Sequence, residues 1–373
     1  MADAQTSATD AIERKPDEDV VTPWEVSAGS SGKIDYDKLI GWAVLASFQC
    51  HLVKFGCRRI DEPLVTQIEN LTKRRAHPML RRGLFFAHRD LGELLKRVAS
   101  GKRFFLYTGR GPSSGSLHLG HLVPFFFTKY LQEAFDVPVV VQMTSDEKFL
   151  WKDLKMEEVS KMTTSNVKDI IAVGFDASNT FIFNNLDYMC PAFYANIVRI
   201  WKTVTQNQAR SIFGTIGEDP IGKMAFPAVQ DPYFRMTRDV APRLKYPKPA
   251  LIMSSFLPAL QGTATKMSSS DGNSCIYISD TPNQIKNKVN KEKGGDPDVD
   301  ISFQYLQFFL EDDDQLETIR TDYRAGRLLT GELKAIAIAE ITKVVRELQE
   351  RRAKLTDADV VEFARPRQLK HSF

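Results

Sequence analysis

The sequence predicts an α/β fold in which a doubly wound, Rossmann-like parallel sheet is followed by an α-helical region. Three observations carry that expectation. Phe104–Tyr107 is an apolar run that ends in Gly109-Arg110-Gly111-Pro112 and passes through Ser and Gly into a helical pattern reaching Phe135. That is the order of strand, phosphate-sized loop and helix. Val137–Thr144 is β-branched and nearly all apolar, as expected of a strand covered on both faces. From Ser302 onward strand candidates cease while helical periodicity continues.

The elements are read in chain order as follows. Residues 1–20 are small, polar and acidic and read as a disordered tail. Val21–Val26 is strand-like, and the Gly/Ser-rich stretch Ser27–Lys33 could turn it into a hairpin. Ile34–Ile40 starts a helix, and Gly41–Val53 is an apolar run too short to span a membrane. Pro63–Lys73 and Asp90–Val98 are helical, with Arg74, Arg75, Arg81 and Arg82 forming a basic cluster around the first. Beyond the strands at Phe104 and Val137, a helix over Glu157–Val173 would turn Asn166 and Lys168 to solvent. Thr180–Phe183 is a third strand, Ala192–Phe213 a long helix, and Pro249–Met253 a later strand of the same parallel sheet. Such alternation puts the ligand site at the carboxyl ends of the strands. The final helices are expected at Ser302–Leu310, Gln315–Ala325, Gly331–Lys354 and Asp357–Phe363. The domain reading is 21–100 as an N-terminal extension, 101–298 as the α/β unit and 299–373 as a helical unit.

Composition bounds the function loosely. Fifty Lys and Arg against 47 Asp and Glu give a net charge of +3, which permits a nucleic-acid partner without demanding one. Cys50, Cys57, Cys190 and Cys275 are scattered and include no CxxC pair, so neither a disulfide framework nor a zinc site follows. The first residues lack the basic and apolar regions of a signal peptide. A cytoplasmic protein without a membrane segment is the expectation.

Two stretches carry chemistry. His118-Leu119-Gly120-His121 puts two imidazoles three residues apart at a helix start, with a glycine between them that lets another molecule approach the backbone. By itself the pair could equally be a metal pair or two surface histidines. Lys266-Met267-Ser268-Ser269-Ser270 joins a point charge to small hydroxyls on a loop. Such a set suits a phosphate chain, although alone it is most often a solvated loop.

Together, in this order and on this architecture, they resemble the two signature motifs of class I aminoacyl-tRNA synthetases. The stretches Tyr107–Ser114, Gln142–Lys148, Asp231–Asp239 and Phe256–Gln261, with Val21–Trp24 and Ile34–Ile40, resemble the eukaryotic cytoplasmic tryptophanyl-tRNA synthetase family. The resemblance implies activation of L-tryptophan by ATP, with Mg²⁺, followed by transfer to tRNA(Trp), in a homodimer. It implies ATP contacts from Thr108, Gly109, Arg110, His118, Gly120, His121, Lys266, Met267, Ser268 and Ser269. Of these, Arg110, His118, His121 and Lys266 would stabilise the charge that develops on the departing pyrophosphate. It implies that Tyr107 and Gln142 read the indole N–H, that Glu147 takes the ammonium group, and that Gln230 faces the substrate. Phe308-Phe309 and the acidic turn after them would lie in an anticodon-reading unit, where stacking and edge hydrogen bonds suit single-stranded bases. The tyrosyl-tRNA synthetases share the architecture but not the Thr108–Ser114 context.

The chain departs from that family at three places: the apolar run near 41–53, the junction of Gln230 with Asp231, and the junction of Lys291 with Glu292. The second removes the segment that in the family holds an inner strand. Its neighbours would then keep unpaired backbone groups, at about 1–3 kcal/mol each if buried. Either the sheet rearranges or the chain is a catalytically impaired form acting at most as a binding partner.

Overall fold

The computed structural model describes residues 20–21, 26–27, 57–224, 231–260, 262–266, 274–289 and 296–371. The acidic tail over 1–19, the helix at Ile34–Ile40, the apolar run at 41–53 and the junction at 291/292 lie outside them. So do Gln230, Met267, Ser268 and Ser269 and the side chain of Lys266.

The apolar strand β6 (Val139–Met143) lies between β5 (Leu106–Arg110) and β7 (Thr180–Asn184), all three parallel. Val139, Val141 and Met143 have no exposed surface (0%), which explains why this strand is apolar on both faces. Helix α4 (Leu119–Phe135) crosses over from β5 and buries Leu119, Leu122, Val123, Phe125, Phe127 and Leu131. Helix α6 (Met156–Ile171) crosses between β6 and β7. Its Asn166 is fully buried, not turned to solvent as its place in the periodicity suggests. The side chain is drawn in by a backbone carbonyl that must be satisfied.

A second sheet was not expected. Strands β3 (Arg58–Arg59), β4 (Phe85–Arg89) and β8 (Leu251–Ser254) form it, with β4 central and antiparallel to both neighbours. The strand expected at Pro249–Met253 therefore exists but is not a strand of the parallel sheet. Among the described residues nothing pairs with β5 on the side away from β6. Tyr107 is 37% exposed there, and the rest of β5 and all of β8 are half-buried. The two sheets are separate among the described residues, with β5 and β8 each at an edge. Because both strands are half-open, water can reach their free N–H and C=O groups, and the cost is smaller than for a buried edge.

Three smaller differences have local causes. In place of one strand over Val21–Val26, β1 (Val20–Val21) pairs antiparallel with β2 (Val26–Ser27). The helix expected over Ala192–Phe213 is two helices, Pro191–Thr203 and Gln206–Phe213. Thr205 and Gln208 form a capping box that starts the second one. The expected helices at Pro63–Lys73 and Asp90–Val98 are α1 (Glu62–Thr72) and α3 (Leu91–Ala99), with α2 (Pro78–Arg81) between them.

The C-terminal residues are helical as expected: Ile301–Phe309, Asp313–Arg324, Thr330–Ala353 and Asp357–Ala364. The first of these starts on Asp300, whose carboxylate accepts from Ser302 N (2.8 Å) and Phe303 N (3.2 Å). Phe308 and Phe309 are buried core residues, so they are not free to stack on nucleic-acid bases. The long helix Thr330–Ala353 buries Leu333, Ala337, Ile341, Val345 and Leu348 along one stripe. One continuous apolar cluster runs from Ile60 through the parallel sheet to Phe363. The basic cluster converges on one carboxylate: Asp313 meets Arg75 (3.3 Å), Arg81 (2.5 Å) and Arg82 (2.8 Å). No helix of the described residues is long and apolar enough to cross a membrane.

Candidate active site

The parallel register sets Gly109 beside Gln142 and Arg110 beside Met143, and Met143 beside Asn184. The carboxyl ends of all three strands thus open on one side, where α/β sheets hold ligands. Between β5 and α4 the loop is tied at three points to α6. Asn166 Nδ2 donates to Ser114 O (2.8 Å), Ser165 Oγ to Gly115 O (2.6 Å), and Leu117 N to Asp169 Oδ2 (2.8 Å). Strand β10 (Gly262–Lys266) ends at the lysine of the second motif. The chain after that motif returns to the first: Leu119 N donates to Ile276 O (2.9 Å) and Ile278 N to Leu117 O (3.0 Å). The chain beyond the second signature stretch is therefore joined to the first through backbone at His118 and Tyr277.

His118 is buried and its ring stacks on that of His121, centroids 3.4 Å apart. Burial, then the nearby Arg110 charge, lowers the His118 pKa to about 3 and pushes that of His121 down as well. Both rings are therefore neutral at pH 7. Burial lowers the Arg110 pKa to about 10, with Glu147 opposing the shift, so the guanidinium stays charged. One of its nitrogens donates to Ser113 Oγ (3.2 Å). Yet Arg110 Nε, both ring nitrogens of His118 and His121 Nδ1 are buried without hydrogen-bond partners. Buried polar atoms are nearly always satisfied, so this cluster has the chemistry of a site that a polar ligand completes. Neutral imidazoles and a fixed cation suit a purine nucleotide with its phosphates.

A second set of residues lies at the same sheet end. The Tyr107 hydroxyl donates to Gln142 Oε1, and Gln142 Nε2 donates to Asn185 Oδ1 (2.7 Å). Burial raises the Tyr107 pKa, so its proton stays on. Phe234, from the helix Asp231–Arg243, packs edge-on against the Tyr107 ring at 5.9 Å. Glu147 is buried, and its two oxygens take the Thr144 hydroxyl (2.7 Å) and Lys148 Nζ (2.8 Å). The ammonium that this carboxylate is expected to hold is thus represented here by the Lys148 amine. Gly111 makes this crowding possible: a Cβ there would meet Lys148 Cε at 2.3 Å and Thr144 Oγ1 at 3.1 Å.

Arg110, His118 and His121 therefore come together, as do Tyr107 and Gln142, while Glu147 lies close enough to Arg110 to push its pKa up against the lowering by burial. Thr108 and Gly109 lie on β5 between the two groups, and Gly120 is in the first turn of α4. Sequence reasoning missed the supports: Asn166, Asp169, Asn185 and Asp146. Their contacts join residues 39–52 positions apart, a separation at which local spacing carries no signal.

The profile of the tRNA synthetases class I (W and Y) matches residues 99–212 and 230–351. A Rossmann-like sheet with two nucleotide motifs at its carboxyl end is the catalytic core of that class, and the match defines this protein as a class I synthetase. The cytoplasmic tryptophan–tRNA ligase of Oryctolagus cuniculus is 51% identical over 397 residues, covering 94% of this chain and 81% of that protein. The cytoplasmic enzyme of Arabidopsis thaliana is 49% identical over 407 residues, covering 98% of each. Among solved structures, the tryptophanyl-tRNA synthetase of Giardia lamblia superposes with a TM-score of 0.82 at 39% identity, covering 88% of this chain and 99% of that one. That of Encephalitozoon cuniculi, bound to tryptophan, gives 0.80 at 37% identity, covering 86% and 98%. The chain belongs to the tryptophan–tRNA ligase family.

Proposed function

We propose that this chain activates L-tryptophan with ATP and passes the tryptophanyl group to the 3′ end of tRNA(Trp) in cytoplasmic translation. One observation carries the reading: partnerless buried nitrogens on Arg110, His118 and His121 share a sheet end with the Tyr107–Gln142 acceptor pair. The tryptophan carboxylate attacks the α-phosphorus of ATP and pyrophosphate leaves. A ribose hydroxyl of the terminal adenosine then attacks the adenylate carbonyl and releases AMP. No protein nucleophile is required, so the protein contributes positioning and charge stabilisation.

In this reading His118, Gly120 and His121 pack on the nucleotide, while Thr108 and Gly109 let it approach the strand. Arg110 and Lys266, with Met267, Ser268 and Ser269, hold the phosphate chain, and Mg²⁺ arrives with ATP as part of the substrate. Tyr107 and Gln142 accept the indole N–H, Glu147 takes the amino group after exchanging it for Lys148, and Gln230 lies against the substrate. The helical residues 299–373 read the anticodon, residues 21–100 buttress the catalytic unit 101–298, and the working form is a homodimer. The test is tryptophan-dependent exchange of pyrophosphate into ATP. Exchange supported by tyrosine and not by tryptophan would overturn the substrate assignment.

The open β5 edge favours a second reading. A synthetase whose substrate strand is paired on one side alone, as β5 is among the described residues, holds its ligands less rigidly, and the chain would bind tryptophan or tRNA while turning over slowly. Exchange at a normal rate rules this out. Activity recovered only when a strand-length segment is restored between Gln230 and Asp231 supports it.

A further inference from the structure

We propose that Asn185 is a positioning residue that fixes the direction of every hydrogen bond at the indole end of the tryptophan pocket, leaving acceptors alone to face the substrate. The proposal rests on the reading of Tyr107 and Gln142 given above and names what sets their specificity. Asn185 is the first residue after β7, has no exposed surface (0%), and lies beside the end of β6 that carries Gln142.

The direction follows from one group that can only accept. Asp146 takes Asn185 Nδ2 on both oxygens (2.9 and 3.1 Å) and Glu147 N on Oδ1 (2.9 Å). A carboxylate has no proton to give, so Asn185 must turn its NH₂ toward Asp146 and its carbonyl toward Gln142. Gln142 must then answer with its own NH₂, which it does at 2.7 Å. Its carbonyl is thereby aimed at Tyr107, and the phenol proton is committed to it. What remains at the pocket end is the second lone pair of Gln142 Oε1 and the lone pairs of the Tyr107 oxygen. Both accept and neither donates. Burial holds the Asp146 carboxyl above its usual value, and the bonds from Asn185 and the Glu147 amide limit that rise, so the anchor and the relay support each other.

An amide or a phenol alone is ambiguous, because each can donate or accept. The relay removes that ambiguity. A side chain with one N–H donor is satisfied, and one of the same shape without a donor covers both acceptors, the buried Gln142 carbonyl and the Tyr107 oxygen, without pairing them. Sites built to bond a substrate N–H or O–H reject analogues that lack it by about 10⁴–10⁵ when no other partner is available. A same-shape analogue in which sulfur replaces the indole N–H isolates this effect from size.

The experiment is calorimetric titration of the full chain with L-tryptophan and with that benzothienyl isostere, alongside ATP. The wild type should prefer tryptophan by at least ~10²-fold. Asn185→Leu should reduce that ratio at least ~10-fold, and Asp146→Asn, which keeps size and removes the accept-only anchor, at least ~5-fold. ATP affinity should be unchanged in both. A merely structural role would weaken both amino acids alike and leave the ratio intact. If both variants keep the wild-type ratio, the relay does not set specificity and the inference is overturned. A wild-type ratio near one instead overturns the Tyr107–Gln142 reading itself.

Discussion

Replacing Arg352 with leucine tests how the last turns of the long C-terminal helix hold the loop between β5 and α4. Arg352 Nε pairs with Asp169 Oδ1, and the other oxygen of that carboxylate accepts from Leu117 N, one residue before His118. Asp169 is wholly buried (0%), whereas Arg352 is 35% exposed. Burial alone pushes the Asp169 carboxyl up; the bonds from Leu117 N and Arg352 oppose it. Stripping one partner from a buried pair costs about 3–5 kcal/mol. Solvent around Arg352 screens the pair and brings the expected loss to about 2 kcal/mol. A domain of ordinary stability, about 5–15 kcal/mol, survives that and stays folded.

The double variant Arg352→Leu, Asp169→Asn should recover about 1 kcal/mol, because no unpaired charge remains buried and the amide oxygen still accepts from Leu117 N. Urea denaturation with an unchanged slope measures both. The loosened loop should also raise the KM for ATP about 10-fold, since small misplacements at a reacting centre are amplified. An Arg352→Leu chain within about 0.5 kcal/mol of wild type, or a double variant less stable than the single one, would refute the reasoning.

Three further outcomes are expected. Lys266→Ala should slow adenylate formation at least ~10²-fold by removing a charge from the transition state, read as pyrophosphate exchange at saturating substrates. Asp313 gives a pH signature: burial pushes its carboxyl up, but Arg81 and Arg82 outweigh that and hold it below its ordinary 3.8. Its stabilisation is therefore present above that value and lost as pH falls through the depressed pKa. Asp313→Asn should be less stable than wild type at pH 7, with the gap in denaturation midpoint closing below pH 3.8. Gly111→Ala should cost about 1–3 kcal/mol, because its Cβ must displace Lys148 from Glu147; thermal unfolding measures it.

The strand–loop–helix that carries the candidate site residues was legible because its pattern is local. Tyr107 to His121 is one strand–loop–helix, and the residue types needed for a nucleotide recur at fixed offsets along it. The helices after Ser302 were equally legible, since a stripe such as Leu333, Ala337, Ile341 and Val345 repeats at the period of the helix. Errors came where a long-range partner overrode the pattern. Asn166 satisfies Ser114 O and is buried; Phe308 and Phe309 fill a core shared with the strands and do not face nucleic acid. The capping box at Thr205 divided one expected helix into two.

The sequence alone determined the family, the α/β class with a helical C-terminal region, and the three strands that form the parallel sheet. Periodicity and motif offsets are properties of neighbouring residues, and neighbouring residues are what a sequence displays. Only the tertiary structure decided the sheet topology: β8 pairs antiparallel with β4, and among the described residues nothing pairs with β5 on the side away from β6. Only it supplied the hidden supports, Asp169 under Leu117 and Asn185 behind Gln142. Backbone and amide groups bond to whatever the fold brings within about 3 Å, and that partner is chosen by packing across the chain and not by the residue's place along it.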